Sequence, residues 1–348
     1  MHYFFQPLTH IRNISRWARA HGARHRLDVE TFQMEVDFKQ QVLTLEPRFL
    51  IKTAGGLAYS PSIGRIGSFV GWLPYSLKRW PIAGDKLKFK EYCENNDLPM
   101  PSYWFQGEAP ASDFIIKDRK GSFGQGIRGP FRREHFSDIS DDIRAGAYCE
   151  EFIDGDAIKI WYWNDSPIFL ERLPPRFLVG DGIRSIRDIA VTTRGSFDTS
   201  FEVGPKCDDY LAWQGMTADS IPKAGEQVKL AYPYTSDFDA VTVSNRDVLQ
   251  KQSQKLRDEL DRFGKVLCRA IPPEIRQHVL FTLDAVATDK DEIFLLEMNC
   301  NPMVHPLSYV FMLDNIFQVT TPPLQLQPAI HAQTSASAAS SLHSQATS

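Results

Sequence analysis

DAVATDKDEIFLLEMNCNP, residues Asp284–Pro302, contains the end of one apolar segment, a polar break and a second apolar segment. The stretches HVLFTLDAVA and EIFLLE are typical of buried strands, and the acidic and basic residues between them are typical of a turn. We therefore predict an antiparallel hairpin whose turn is centred on Lys290–Asp291.

This hairpin register brings three oxygen-bearing side chains to one face of the sheet. It pairs Asp284 with Glu297 and Thr282 with Asn299, and residues that face each other across an antiparallel pair lie on the same side. Two carboxylates beside a buried strand repel each other unless a cation lies between them. Mg²⁺ prefers carboxylates combined with substrate phosphates, and Mn²⁺ is an alternative ion. The pattern predicts a metal site and a phosphate-bearing ligand, whereas a solvated hairpin end with incidental polar residues is the other interpretation.

The composition of the chain is that of an ordinary globular protein. Its 348 residues, 43% hydrophobic content and net charge of −4 suffice for two domains or one large multi-lobed domain. The near-neutral charge gives no reason to expect nucleic acid or an anionic membrane as a partner. Five scattered cysteines without a CxxC pair argue against a disulfide framework and a cysteine zinc site. Because the N-terminus also lacks a signal-peptide pattern, we expect a cytoplasmic protein.

The order of predicted elements indicates an α+β fold with antiparallel sheets, because consecutive strands usually pair with each other. Residues 1–84 form an N-terminal region of unclear fold, and residues 85–320 contain short strands and helices. Asp85 begins a helix, DFIIKD and YCEEFI are strands, and a hairpin turns at Asn164–Asp165. The stretch SNRDVLQKQSQKLRDELDRFGKVLCRAI has the spacing of one long amphipathic helix. Residues 321–348 lack Asp, Glu, Lys and Arg, so we expect a disordered tail.

The segment FIIKDRKGSFGQGIRGP combines a strand with a glycine-rich loop. Gly124, Gly126 and Gly129 match the dinucleotide-binding spacing, but Pro130 follows at once where that motif requires a helix. The segment also lacks the GK[ST] of a Walker A loop. A flexible loop that folds over a triphosphate, with backbone N–H donors and Lys117 as an added cation, fits the pattern better. A surface hairpin with a charged rim is the alternative.

Together these elements resemble the ATP-grasp superfamily. The shared order is a lysine-bearing helix, the IIK strand, the glycine loop, the EEFIDG strand and the final D…EMN. More narrowly, EEFIDGD…FLERLPPRFLVGDGIRSIRDIA resembles the ATP-grasp module of cyanophycin synthetases and of bifunctional glutathione synthases. The resemblance extends from about Asp85 to Pro302. It implies an ATP-grasp fold, in which two α+β subdomains with antiparallel sheets grip ATP between them.

The resemblance implies a role for each residue that matches one of its motifs. Arg172, in the Arg-x-Pro-Pro motif, would clamp an acyl phosphate, and Asp156 lies one place before the acid that usually binds the ribose. The other implied site residues are Lys86 and Lys117 at the ATP phosphates; Gly121, Ser122, Phe123, Gly124 and Gly126 in the loop over them; Glu150, Glu151 and Phe152 beside the adenine, whose edge their backbone would recognise; and Asp284, Glu297 and Asn299 at Mg²⁺.

The sequence departs from the family pattern in three places. Ala157 occupies the position of the ribose-binding acid, and Lys159 stands where arginine is usual. The stretch LAYPYTSDFDAV lacks the arginines and glycines of the loop that approaches the transferred phosphoryl group. Arg246 is the candidate substitute for those arginines.

The resemblance implies an ATP- and Mg²⁺-dependent ligase that joins a carboxylate to an amine through an acyl phosphate. Its substrates would be an amino acid, a peptide or a small metabolite, without nucleic acid or membrane, and a homodimer is compatible with the sequence. Two alternatives stay open: an ATP-grasp phosphotransferase that makes no amide, and a catalytically degenerate nucleotide-binding module. The altered stretch before Arg246 favours the degenerate module, whereas the intact trio of metal-binding residues argues against it.

Overall fold

The computed structural model describes residues 7–53, 56–62, 67–105, 107–120, 126–192, 203, 205–231 and 247–319. Within these ranges no helix combines the length and the apolar character needed to cross a membrane. Outside them lie the predicted tail 321–348, Arg246, and the loop residues Gly121, Ser122, Phe123 and Gly124. The described strands form antiparallel sheets that are covered by helices, so the predicted α+β class is confirmed.

The N-terminal region, whose fold the sequence left unclear, is a helix packed on a five-stranded antiparallel sheet. Its elements are α1 Pro7–His21, β1 Arg24–Leu27, β2 Met34–Phe38, β3 Gln41–Thr53, β4 Gly56–Ser60 and β5 Gly67–Leu73. Helix α1 buries Ile14, Trp17 and Ala18, whose spacing places them on one side of the helix. The long strand β3 pairs with β2, β4 and β5, and it therefore joins the whole sheet.

Residues 85–151 form a smaller sheet beside a short helix. The elements are α2 Lys86–Glu94, β6 Tyr103–Trp104, β7 Phe114–Asp118, β8 Arg128–Phe131, α3 Phe136–Ile139 and β9 Ala147–Glu151. Asp85 caps α2 as predicted, because its side chain accepts hydrogen bonds from the backbone N–H groups of Leu87 and Lys88. The antiparallel sheet has the order β6-β9-β7-β8, so β9 and β7 are its inner strands.

The large sheet and the helices around it follow. The elements are β10 Asp156–Trp163, β11 Ser166–Leu173, β12 Arg176–Val179, α4 Ile186–Thr192, α5 Pro205–Trp213, β13 Gln227–Ala231, α6 Gln254–Arg269, α7 Pro273–Arg276, β14 Leu280–Ala287, β15 Ile293–Asn299 and α8 Ser308–Ile316. The large sheet has the order β11-β10-β14-β15, while β12 and β13 form a separate antiparallel pair. The hairpin of β10 and β11 turns at Asn164–Asp165, as predicted.

Helix α6 is shorter than the periodicity predicted. It begins at Gln254, because the Ser253 hydroxyl accepts a hydrogen bond from the Leu256 N–H and so caps the first turn. Before this cap, Leu249–Lys251 form a separate turn of 3₁₀ helix. The apolar spacing extends N-terminal to Ser253, but the cap formed by the Ser253 side chain sets the start of the helix.

The hairpin of β14 and β15 has the predicted register at its polar end. Thr282 and Asp284 face Asn299 and Glu297, respectively. Between Asp284 and the turn, an irregularity shifts the pairing by one residue, so the register next to the turn differs from the prediction. The predicted turn position was therefore approximate, whereas the pairing of the polar side chains is confirmed.

The large sheet is buried on both faces. One face packs against α2 and α6, where Ile158 and Phe89 belong to the same hydrophobic core. The other face packs against the N-terminal region and α8, where Trp161 shares a core with Trp17 and Tyr309. The second core contains side chains from before and after residue 84, so the N-terminal region and the large sheet stabilise each other. The predicted domain limits themselves stay predictions.

Two histidines are buried in this second core. His10 of α1 shares a hydrogen bond of 2.9 Å with the Tyr309 hydroxyl, and the His305 ring stacks on Phe169 with centroids 4.2 Å apart. Burial, helped by the charge of His305, lowers the pKa of His10 to about 3. Burial also lowers the pKa of His305 to about 4. Both rings are therefore neutral in the folded protein at neutral pH.

We expect the free energy of unfolding to decrease as the pH falls from the ordinary histidine value of 6.5 towards about 4. In this window the unfolded chain binds more protons than the folded chain, because both histidines have depressed pKa values only when folded. Each would contribute about 1.4 kcal/mol per pH unit. Urea unfolding at about pH 7 and pH 5 measures the loss, and His10→Gln should reduce it by about 2 kcal/mol. The same loss in His10→Gln and the wild type would contradict this explanation.

Candidate functional site

A row of four charged residues crosses the large sheet from β11 to β15. Cross-strand pairing places Glu171 opposite Lys159, Lys159 opposite Asp284, and Asp284 opposite Glu297. Directly opposed residues share a face, so all four side chains project from the side that also bears Trp161, two positions after Lys159. The register thus gathers four ionisable groups on one face of the sheet.

The predicted metal-binding side chains meet at one end of this row. The Asn299 amide donates to Asp284 Oδ2 at 2.9 Å and lies 3.5 Å from Glu297 Oε1. Two lysines complete the group: Lys159 Nζ is 2.6 Å from Asp284 Oδ1, and Lys86 Nζ is 3.4 Å from Glu297 Oε2. These five residues are termed the Glu297 cluster.

The Glu297 cluster places two carboxylates close together in a partly buried position. Burial raises the pKa of Glu297, Asp284 raises it further, and Lys86 and Lys117 oppose the increase. Burial by itself would lower the pKa of Lys159, but the charge of Asp284 and its hydrogen bond outweigh burial and raise it. The two carboxylates therefore favour a nearby cation, and the lysines of the cluster neutralise part of their negative charge.

The donor set of the Glu297 cluster fits a Mg²⁺ ion. Two carboxylates and an amide oxygen are hard ligands, and adjacent strands hold the three residues in place. Among the residues that the structure describes, no group of three or more His, Cys, Asp or Glu side chains could hold a metal ion, so a site made from those types alone is not found there. In the metal-bound form, the Asn299 amide would turn its oxygen towards the ion.

The start of α2 is fixed to the end of β7. Besides capping the helix, Asp85 binds the Arg119 guanidinium, with Nε 2.8 Å from Oδ2. The Lys86 N–H donates to the Arg119 carbonyl at 3.2 Å. Arg119 follows Lys117 by two residues, so these contacts hold the two predicted phosphate-binding lysines near each other.

A second buried charge group lies between β7, β9 and α2. Glu150 is fully buried and binds a different lysine with each oxygen: Oε1 is 2.5 Å from Lys117 Nζ, and Oε2 is 2.8 Å from Lys90 Nζ. The Tyr148 hydroxyl donates to Oε2 at 3.4 Å. Burial by itself would raise the pKa of Glu150, but the two lysines outweigh it and hold the pKa below its usual value. Lys90, Glu150 and Lys117 are termed the Glu150 triad.

The Glu297 cluster and the Glu150 triad lie close to each other. Lys86 and Lys90 are four positions apart on α2 and so lie on one side of that helix. Lys86 binds Glu297 in the large sheet, and Lys90 binds Glu150 in the small sheet. The charge of Lys117 also acts on Glu297. The structure therefore brings Lys86 and Lys117 together with the predicted metal ligands.

Gly126, the predicted loop residue that lies within the described ranges, occupies a position that requires glycine. Its φ of 74° is in the left-handed region, and a Cβ atom there would collide with the Asp118 carboxylate. Gly126 therefore packs against Asp118, the last residue of β7, which directly follows Lys117.

The backbone donors of Glu151 and Phe152 are already used. The Glu151 N–H donates to the Ser102 carbonyl at 2.9 Å, and the Phe152 N–H donates to the Asp113 carbonyl at 2.8 Å. The Phe152 ring packs against Trp213, with centroids 5.0 Å apart. Both N–H groups thus bind the segments that precede β6 and β7, and adenine recognition by this stretch stays a prediction.

Arg172 and Asp156 do not join the Glu297 cluster. Arg172 faces Ile158 across the strands, and it directly follows Glu171, so it projects from the opposite face of the sheet. Its guanidinium binds Asp156 at 2.6 Å and Asp291 at 2.8 Å. These contacts tie β10 and β11 to the β14–β15 turn. Strand alternation thus places Arg172 away from the Glu297 cluster, and Asp156, the acid next to the usual ribose position, is engaged in an ion pair with it. The implied roles of both residues stay predictions.

Sequence reasoning missed the position of two lysines in these clusters. Lys90 had a usable signal, because it lies one helical turn after Lys86. Lys159 was noted only as a departure from the family pattern. Its contact with Asp284 depends on the pairing of β10 with β14, across 125 residues of sequence, and local patterns give no signal for such a pairing.

No protein-family model matches the chain. Among curated proteins, the chain is similar to a bifunctional glutathione biosynthesis protein of Listeria welshimeri, with 23% identity over 210 residues. The match covers 55% of this chain and 26% of the relative, so the chain spans about a quarter of the relative's length. This match confirms the resemblance to ATP-grasp proteins, and in particular to the module of bifunctional glutathione synthases, that the motifs predicted.

Solved structures give partial similarities of the same kind. A bifunctional glutathione synthetase from Pasteurella multocida has a TM-score of 0.44 at 13% identity, covering 89% of this chain and 43% of that one. A D-alanine–D-alanine ligase from Bacillus anthracis has a TM-score of 0.38 at 11% identity, covering 68% of this chain and 67% of that one.

We expect Mn²⁺, used as a spectroscopic probe, to bind the Glu297 cluster. Glu297→Gln should weaken binding by about tenfold or more, because it removes a charged oxygen ligand and leaves the side-chain volume unchanged. Lys159→Met should leave binding as tight or tighter, because it removes a cation that competes for Asp284. Titration of free Mn²⁺ by electron paramagnetic resonance measures both effects.

The matched control for this titration is Asp291→Asn. It removes a carboxylate from the turn of the same hairpin, on the Arg172 side of the sheet, and should leave Mn²⁺ affinity unchanged. Equal weakening by Asp291→Asn and Glu297→Gln would show that general negative charge, and not the cluster, binds the ion.

Proposed function

We propose that this chain is an ATP- and Mg²⁺-dependent ligase that joins a carboxylate to an amine. The carboxylate oxygen would attack the terminal phosphorus of ATP, forming an acyl phosphate and releasing ADP. The amine nitrogen would then attack the acyl carbon, phosphate would leave, and the amine would lose a proton. An amino acid, a peptide or a small metabolite is the proposed substrate class, and the cytoplasm is the proposed location. The observation that carries the proposal is the proximity of the Glu297 cluster to Lys117.

The lysines of the site support a phosphate-bearing ligand. The side chains of Lys86 and Lys117 are only 12% and 4% exposed, and each pairs with a carboxylate of a different sheet. Positive charges that are largely shielded from water act strongly on phosphate oxygens, because little solvent screens them. The two lysines would therefore bind and orient the phosphates and stabilise the charge that develops during phosphoryl transfer.

Asp284, Glu297 and Asn299 would hold Mg²⁺ beside these lysines. When bound, the ion supplies positive charge to the phosphate oxygens. The pairing of β14 with β15 fixes the two carboxylates, and Lys159 holds Asp284 from the neighbouring strand. A substrate carboxylate is itself the nucleophile in this scheme, so the chain needs to supply no nucleophilic side chain.

Two observations favour a ligase over the alternatives. The sequence match is to a glutathione biosynthesis protein, which favours amide formation over transfer of phosphate to a stable product. Asp284 and Glu297 are partly buried carboxylates held on one face of the sheet, an arrangement that favours a bound cation and that a degenerate module does not need. Arg172, on the opposite face, has no part in the proposal.

We expect ATP with Mg²⁺ to raise the melting temperature of the wild type, because a ligand that binds the folded form stabilises it, by about 2.7 kcal/mol at a hundredfold excess over Kd. Lys117→Met should remove most of the shift, since the variant loses a phosphate-binding charge. Lys265→Met, which removes an exposed lysine on α6, is the control and should keep the shift. Differential scanning fluorimetry measures all three, and no shift in the wild type at millimolar ATP would contradict the proposed nucleotide site.

We expect an acyl phosphate during turnover. A screen of carboxylate and amine pairs for ADP release identifies the substrates, and hydroxylamine is then added in place of the amine. An acyl phosphate reacts with hydroxylamine to give a hydroxamate, which is detected by mass spectrometry. Recovery of a substrate with phosphate stably bonded to it would instead establish a phosphotransferase.

A further inference from the structure

The Glu150 triad contains two lysines for a single carboxylate. Each lysine takes a different oxygen of Glu150, at 2.5 Å for Lys117 and 2.8 Å for Lys90. The triad therefore has one positive charge more than Glu150 needs for its neutralisation. A buried excess charge is unfavourable by itself, so its presence calls for an explanation.

The two lysines differ in their surroundings. Lys90 is fully buried, and its ammonium group also donates to the Pro101 carbonyl at 3.1 Å and lies 5.5 Å from the centre of the Tyr103 ring. Burial lowers the pKa of Lys90, and Glu150 opposes this effect, so Lys90 depends on Glu150 to stay charged. Lys117, by contrast, is close enough to the Glu297 cluster for its charge to act on Glu297.

This difference decides what happens when a phosphate approaches. If Lys117 were the sole partner of Glu150, giving its charge to a phosphate would leave a buried carboxylate without an ion pair. With Lys90 present, Glu150 keeps one ion pair whatever Lys117 does. Lys90 thus leaves the charge of Lys117 available for a phosphate.

We infer that Lys90 is a positioning residue, which neutralises Glu150 so that Lys117 can direct its charge to the phosphates of a bound nucleotide. The inference rests on the proposed function, because it requires a phosphate-bearing ligand beside Lys117. Lys90 itself would not touch the nucleotide.

A purely structural role for Lys90 makes a different prediction. In that case Lys90 would anchor α2 to the small sheet through Glu150 and the Pro101 carbonyl, and its loss would loosen the helix. Such a loss would weaken nucleotide binding whether or not Glu150 carries a charge. The two roles are therefore separated by the charge state of Glu150.

The test is a double-mutant cycle with Lys90→Met and Glu150→Gln, read out as the Kd for ATP with Mg²⁺ by isothermal titration calorimetry. In the wild-type background, Lys90→Met should raise Kd by about tenfold or more, because Glu150 then holds Lys117 alone. In the Glu150→Gln background, the same substitution should change Kd by less than about twofold, because there is no carboxylate left to neutralise.

Lys90→Gln is the second variant, which also guards against misfolding of Lys90→Met. It removes the charge but keeps N–H donors, so it should be destabilised less than Lys90→Met and should weaken binding as much as Lys90→Met does. Equal effects of Lys90→Met in both backgrounds, or full binding by Lys90→Gln, would overturn the positioning role and leave the proposed function standing. A wild type that binds no ATP would overturn both.

Discussion

The register of strand β14 between β10 and β15 is the constraint on which the rest of the site depends. It sets Asp284 opposite Lys159 on one side and opposite Glu297 on the other. A slip of one residue along either neighbour would move these charges to the face that packs on α6. The alternation that places Leu283 in the α6 core and Asp284 on the other face prevents such a slip. The hydrophobic packing of the sheet therefore also fixes which charged side chains lie next to each other.

Charge balance in the interior follows from the same arrangement. Glu150, Asp284 and Glu297 each have a lysine within 3.4 Å, and none of these lysines is more than 29% exposed. Around the fully buried Glu150, removal of one partner from such an ion pair typically costs about 3–5 kcal/mol, because the remaining charge is left without compensation. When a phosphate ligand binds, a lysine would exchange a carboxylate partner for a phosphate, so it would stay paired with an anion.

The N-terminal region supports the site without supplying one of its charged groups. Arg48 of β3 is almost fully buried and donates to Asn301 Oδ1 at 2.7 Å. Asn301 in turn donates to the Lys78 carbonyl at 2.8 Å. Because Asn301 follows Asn299 by two residues, these bonds hold the chain directly after the Glu297 cluster. The core shared by Trp17 and Trp161 attaches the same region to the sheet.

The sequence by itself determined the features that arise from neighbouring residues. Turn chemistry and alternation gave the pairing of Asp284 with Glu297, and a capping side chain gave the start of α2 at Asp85. Family motifs further indicated Lys86 and Lys117 as partners of this hairpin. These signals suffice because each acts within one turn, one hairpin or one motif.

Only the tertiary structure decided which distant strands and helices meet. Lys159 reaches Asp284 through a strand pairing that no local pattern encodes. The spacing of Lys90 from Lys86 places it on the same side of α2, but its contact with Glu150 depends on how α2 meets the small sheet. The face on which Arg172 lies likewise depends on how β11 joins the sheet. Such contacts follow from the packing of the whole hydrophobic core, whose free energy is shared among many residues, so no short stretch of sequence contains them.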